Sequence, residues 1–126
     1  LALLTHSRTA WNDFFTGTPT NLNSQTFYNR QSRSDSSLYV SNCLFTSISS
    51  TSNGGALSST SSTYFLVEST SFFSCKTSGS WGGAICYSSD GQCVLHKVCG
   101  YDCSSNPYHQ FSYINVENVA SYMNYV

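Results

Sequence analysis

Gly82-Gly83-Ala84-Ile85 repeats Gly54-Gly55-Ala56-Leu57 with a change only in the last aliphatic residue, 28 positions further along the chain. The same offset carries Phe45 onto Phe73 and Phe73 onto Tyr101. It also carries Leu38 onto Leu66 onto Val94, and Cys75 onto Cys103. Three copies therefore run 38–65, 66–93 and 94–121 without insertion, and 122–126 begins a further one. A fixed period of about 20–50 residues is the signature of a solenoid. Each copy opens on a strand-like stretch (38–46, 66–75, 94–103) and passes through a Ser/Thr/Gly loop. The first two then enter the Gly-Gly-Ala-aliphatic element, and a second turn such as Ser88-Ser89-Asp90-Gly91 follows. Two or three short strands per repeat predict one rung of a parallel β-helix, with equivalent residues stacked about 4.8 Å apart.

Composition agrees with an all-β chain. Charged residues are 9%, and 26 Ser and 12 Thr replace them. Aromatic content of 15% supplies the burial that a disordered Ser/Thr-rich segment lacks. A net charge of −1 gives no footprint for nucleic acid. No apolar run approaches the roughly 20 residues of a membrane-spanning helix. Six cysteines in so small a chain favour an oxidising, extracellular or cell-surface setting, with a reduced intracellular scaffold or filament component as the alternative.

Residues 1–37 stand outside the repeat. Within 9–17, Thr9 is a candidate N-cap, Trp11, Phe14 and Phe15 share a side, and Gly17 suits the C-terminal stop, so a short helix is expected. Its expected role is to cap the first coil, which otherwise presents a bare apolar layer. Thr26-Phe27-Tyr28 reads as an incomplete coil, and 30–37 as a loop.

Strict alternation assigns the interior to Tyr39, Ser41, Cys43, Phe45 and Ser47 in the first copy. It assigns Val67, Ser69, Ser71, Phe73 and Cys75 in the second, and Leu95, Lys97, Cys99, Tyr101 and Cys103 in the third. Phe45, Phe73 and Tyr101 then form one buried column. Lys97 does not suit burial, so a bend is expected there. The paired glycines, Gly54-Gly55 and Gly82-Gly83, supply a corner with positive φ and a close backbone approach, with Ala56 and Ala84 as small inward residues. The third copy has Gln110-Phe111-Ser112-Tyr113 in this place, so its corner must differ.

Phe72-Phe73-Ser74-Cys75 followed by Gly82-Gly83-Ala84-Ile85 resembles the repeat of the polymorphic outer-membrane proteins of chlamydiae, which pairs an F-x-x-N element with G-G-A-I. It is also similar to the Ser- and Cys-rich surface proteins of trichomonads. The likeness covers about residues 38–113. Cys75 stands where the bacterial motif has Asn, and the third copy lacks Gly-Gly. The resemblance implies a right-handed parallel β-helix that serves surface display and adhesion. It brings no catalytic residue and no cofactor, and it implies a host-cell or glycan surface as partner.

Chemistry is sparse. Sugar-cleaving β-helices need clustered carboxylates. Asp13, Asp35, Glu68, Asp90, Asp102 and Glu117 share no column. Glu68 and His96 do share one on the outer face, which reads first as a cross-strand pair. Cys93, His96, Cys99 and Cys103 are zinc-type ligands, but an extended strand spreads them too far and points His96 the other way. Cys75 and Cys103 stack within the Cα window of a disulfide, and Cys86 and Cys93 flank the turn at Asp90-Gly91. The other reading leaves all six as packed thiols. Trp81, at a loop corner, is the exposed aromatic candidate for a sugar surface.

The sequence thus predicts a non-enzymatic structural or adhesive β-helix, holding loops 58–63 and 77–81 along one side. A polysaccharide-binding or polysaccharide-cleaving domain is the alternative. Met123 is expected in the column of Tyr39, Val67 and Leu95, and the C-terminal coil is expected to be covered by further rungs or a protein partner in end-to-end contact.

Overall fold

The computed structural model describes residues 10–116 and 122–125. It is a parallel β-solenoid of about three turns, flanked by one short helix. The helix α1 (Ala10–Phe14) precedes β1 (Thr20–Asn23), β2 (Thr26–Phe27) and β3 (Gln31–Arg33). The first full rung holds β4 (Ser37–Ser41), β5 (Leu44–Thr46), β6 (Ser49–Ser50) and β7 (Leu57–Ser59). The second holds β8 (Tyr64–Phe73), β9 (Lys76–Thr77) and β10 (Ile85–Ser88). The third holds β11 (Gln92–Tyr101), β12 (Ser104–Ser105) and β13 (Ser112–Asn115), and β14 (Tyr122–Tyr125) opens a fourth. Stacking the rungs makes three sheets. The first runs β1-β4-β8-β11-β14 and includes β2 and β5, the second β3-β7-β10-β13, and the third β6-β9-β12. Every pairing is parallel.

The interior differs from strict alternation, and the backbone shows why. Asn42, Ser69 and Lys97 all have positive φ, as do Ser47, Ser74 and Asp102 five residues later. Each left-handed residue bends the strand and inserts one position that faces neither wall. The inward set therefore changes parity twice per rung. In the second it is Phe65 and Val67, then Thr70 and Phe72, then Cys75 and Thr77, all buried. The bend expected near Lys97 is present, and it leaves Lys97 exposed.

The aromatic column is corrected accordingly. Between the first two rungs the first sheet is offset by 27 residues, so Phe45 pairs with Phe72. Their rings stack at 4.8 Å, and Phe27 of the partial rung stacks on Phe45 at 4.7 Å. Phe73 and Tyr101 do pair with each other, but on the outside, 40% and 70% exposed. Tyr39 is half-buried on the outer face, and Ser69 and Cys99 are exposed there.

In the third rung Gly100 pairs with Phe72, and Phe111 reaches across the interior instead. Its ring meets Phe72 edge-on at 5.8 Å. A Cβ on Gly100 would lie 2.3 Å from Phe111 Cε2. The altered corner at Gln110-Phe111 and the glycine opposite it are thus one size exchange across the core.

The paired glycines behave as expected. Gly54 and Gly82 have φ of +70° and +65°, and Ala56 and Ala84 are fully buried. A Cβ on Gly55 would stand 2.1 Å from the Gly83 carbonyl oxygen, and one on Gly83 2.4 Å from Ser104 backbone.

The first 37 residues hold more of the solenoid than their sequence suggests. β1 pairs with β4 and β2 with β5, at an offset of 18 residues, and β3 pairs with β7. The stretch 30–37, read as a loop, thus contributes β3. The helix ends as expected: Gly17 has φ +82°, and its carbonyl accepts Trp11 Nε1–H at 3.1 Å. The N-cap expected at Thr9 lies outside the described residues. The helix does not cover the end of the coil. Trp11 and Phe15 pack on Leu66 and Val94, with Tyr39 and Tyr64 at the margin, so the helix lies across the outer face of the first sheet and spans three rungs. A period-2 strand whose outward residues are Leu66 and Val94 needs such a cover. At the other end Met123 pairs with Val94 rather than Leu95. Val126, the last residue of the expected further rung, lies outside the described residues. No described helix is long and apolar enough to cross a membrane.

Candidate functional site

A groove runs over the outer face of the second sheet. Inside β7 and β10 the alternation is regular, so Leu57, Ile85 and Tyr87 face the core. Ser58, Cys86 and Tyr113 then form one outward column, and Thr60, Ser88 and Asn115 line the next positions. The wall is the corner before these strands. Trp81 stands there 40% exposed, its ring stacked on Tyr113 at 5.0 Å and 19°.

The corner is tied down from both sides. Asn53 Oδ1 accepts the Trp81 backbone N–H at 3.1 Å, and the Trp81 carbonyl accepts Gly54 N–H at 2.9 Å. Arg30 donates from Nε to the Gly54 carbonyl and from Nη2 to the Asn53 carbonyl, both at 2.8 Å. The groove holds about 540 Å³. An adjoining hollow shares Thr60, Ser88 and Asn115 and extends to Asp90. One guanidinium in the groove and one carboxylate in the hollow thus stand along a lining that is otherwise hydroxyl, amide, aromatic and the Cys86 thiol. The Cys86 thiol beneath is pushed up in pKa by burial, with the positive charge of Arg30 acting the other way.

The cysteines do not form the expected pairs as bonds. All six are thiols. Cys86 points outward and Cys93 into the core, on opposite sides of the wall, so the turn at Asp90-Gly91 does not bring them together. Burial raises the Cys93 pKa strongly. Cys75 and Cys103 do stack on neighbouring rungs, as Lys76 and Ser104 beside them pair. Their thiols act on each other: a hydrogen bond from Cys75 favours the thiolate of Cys103, and Cys75 is pushed up as the partner that keeps its proton. Among the described residues no three His, Cys, Asp or Glu side chains converge as metal ligands. Of the loops expected to project, 58–63 is partly walled in: Ser58, Ser59 and Ser62 are buried, and Ser59 and Ser62 share a 2.6 Å hydrogen bond. Thr77, at the start of the other, is also buried.

Glu68 and His96 do meet on the outer face, His96 Nδ1 lying 3.3 Å from Glu68 Oε1. The sequence reading missed the third member. Tyr39 donates its hydroxyl to Glu68 Oε2 at 2.7 Å, and Phe14 of the helix covers His96 edge-on at 5.8 Å. Burial, reinforced by the Glu68 carboxylate, raises the Tyr39 pKa to about 12. A free tyrosine titrates near 10. The unfolded chain therefore loses this proton first as pH rises. The stabilisation is complete below pH ~10 and is lost between ~10 and ~12. Thermal unfolding followed from pH 9 to 12 should show a steeper fall in Tm for the native chain than for Tyr39→Phe. Parallel curves would mean that Tyr39 titrates alike in both states.

No family model matches the chain, and neither a curated protein nor a solved structure matches it.

Proposed function

We propose that the chain is a non-enzymatic structural or adhesive segment of a surface or extracellular protein, the role implied by its resemblance to the polymorphic outer-membrane proteins. The observation that carries this is the groove: an exposed aromatic ring on a fixed corner, beside a floor of hydroxyl and amide groups around one thiol on stacked strands. That is machinery for contact. The carboxylates support the same reading. Asp35 is held by Arg33 at 2.8 Å, Asp102 by Lys76 at 3.2 Å, and Glu68 by Tyr39 and His96, while Asp90 stands in the hollow beside the groove with no second carboxylate among the described lining residues. In an oxidising compartment Cys75 and Cys103 close a disulfide, since a rung spacing of about 4.8 Å suits that bond. Among the described strands, β12 and β13 are the outer members of their sheets, and they offer backbone groups to a continuing rung or a partner strand.

The test uses the chain bound to beads. The beads should retain cultured epithelial cells above the level of albumin-coated beads, and pectin and xylan incubated with them should keep their chain length. Depolymerisation would sink the non-enzymatic reading, and no retention above albumin would sink the adhesive one.

A further inference from the structure

The groove's chemistry selects among ligands. A nucleic acid or a strongly acidic chain needs several cations, and Arg30 is the lining cation. An apolar helix needs a continuous apolar floor, and here the Cys86 thiol and Tyr113 ring are interspersed with Ser58, Thr60, Ser88 and Asn115. What fits is a solute with one apolar face and a rim of hydroxyls. A hexose has this form: its axial C–H groups make a face that packs on an aromatic ring, and its hydroxyls exchange hydrogen bonds with amides, hydroxyls and a guanidinium.

Resting on the adhesive reading above, we infer that this groove binds a neutral oligosaccharide, with one hexose ring on Trp81 and the flanking hydroxyls over Ser88, Asn115 and Arg30. Three features support it. The Trp81 ring is already backed by Tyr113 at 5.0 Å, so little side-chain freedom remains to be lost on binding. Arg30 spends two of its N–H groups on the Gly54 and Asn53 carbonyls. Five N–H donors are present in a guanidinium, so the anchored fork still has donors for a ligand. The volume of about 540 Å³ is in the range of small-ligand sites, and the adjoining hollow toward Asp90 gives a chain of sugars room to continue.

The experiment titrates the whole chain with cellotetraose, mannotetraose and chitotetraose by calorimetry. At least one should bind. Trp81→Ala should weaken that binding about tenfold or more, the scale of losing an aromatic contact with its buried area, while lowering the unfolding midpoint only by the modest amount that its stack on Tyr113 is worth. The fold should tolerate the change, because the links of Trp81 to Asn53 and Gly54 use its backbone. Tyr101→Ala, an exposed aromatic on the first sheet, should bind as the native chain does. The inference is overturned if none of the three binds, or if Trp81→Ala binds unchanged. It is also overturned if high salt abolishes binding, which would mark an ionic site. Cell retention without sugar binding would remove this inference and leave the adhesive proposal standing. Sugar binding without cell retention would do the reverse.

Discussion

Phe72→Ala should cost about 3–5 kcal/mol, and Phe73→Ala, one residue along, less than about 1 kcal/mol. Phe72 is fully buried and is stacked on Phe45 at 4.8 Å, with Phe111 against its other side. Truncation would open a cavity in the centre of the solenoid, flanked by rings on both rungs, and the hydrogen bonds of neighbouring strands limit collapse into it. Phe73 is 40% exposed, and its ring contact is Tyr101 at 6.2 Å, itself outside. Equilibrium unfolding in urea, with midpoint and slope compared across the two variants, separates the cases. Equal losses, or the larger loss at Phe73, would mean that the inward set keeps one parity through Ser69 and Ser74 and that the two left-handed bends are absent.

That pair of residues also marks where the sequence stopped being legible. The repeat, the rung count and both roles of the glycine pair could be read directly, because Gly54 and Gly82 carry their positive φ in their identity. The bends could not. Their left-handed residues are Asn42, Ser69 and Lys97, then Ser47, Ser74 and Asp102. Asn42 and Asp102 are of types that take this conformation readily, but serine and lysine, at the other four positions, carry little such preference, so no residue type marks the bends from rung to rung. A signal did exist in the spacing: polar residues five apart, with an apolar or small residue just after each, as in Asn42-Cys43 and Ser47-Ile48. An unbroken alternation hides this, since two parity changes return Cys75 to the face of Val67. The Phe45–Phe73 match at 28 residues was persuasive for the same reason. Phe72 and Phe73 are adjacent, and identity cannot tell which of them keeps the register.

The helix and the groove show a second limit. Trp11, Phe14 and Phe15 mark an amphipathic helix, but not which surface it covers. The answer lay in Leu66 and Val94, apolar residues at outward positions. Strict alternation already places both outward, beside inward Val67 and Leu95, but the helix was assigned to the end of the coil, so the patch was left without a cover. Trp81 was legible as an exposed aromatic. Its partners were not, because Arg30, Tyr113 and Asn115 come from the partial rung and the third rung, and stacking alone brings them to one corner. Likewise Tyr39 joins Glu68 and His96 only through the 27-residue register, which places Ser41 rather than Tyr39 opposite Glu68 and lets the phenol reach diagonally.

Exchanging the two residues of the third-rung core should restore what each exchange alone destroys. In the first two rungs the first-sheet column of the core holds a phenylalanine and the column beyond the glycine corner an alanine, Phe45 with Ala56 and Phe72 with Ala84. In the third rung the sizes are reversed, as Gly100 and Phe111. Phe111→Ala removes a half-buried ring and should cost about 2 kcal/mol, less than a fully buried phenylalanine. Gly100→Phe sends a second ring into space that Phe111 fills, where even a Cβ comes within 2.3 Å of that ring, and should cost about 3 kcal/mol. Gly100 does not have positive φ, so a side chain there meets a packing conflict and no backbone penalty. With both changes the new ring can stack on Phe72 as Phe45 does, over an alanine like Ala84. The double variant should then lose less than about 2 kcal/mol in all, a coupling of about 3 kcal/mol, at the upper end for residues in contact. A urea-unfolding double-mutant cycle measures it. Additive losses of about 5 kcal/mol would show that Phe111 and Gly100 do not share one space, and that the third rung closes its core some other way.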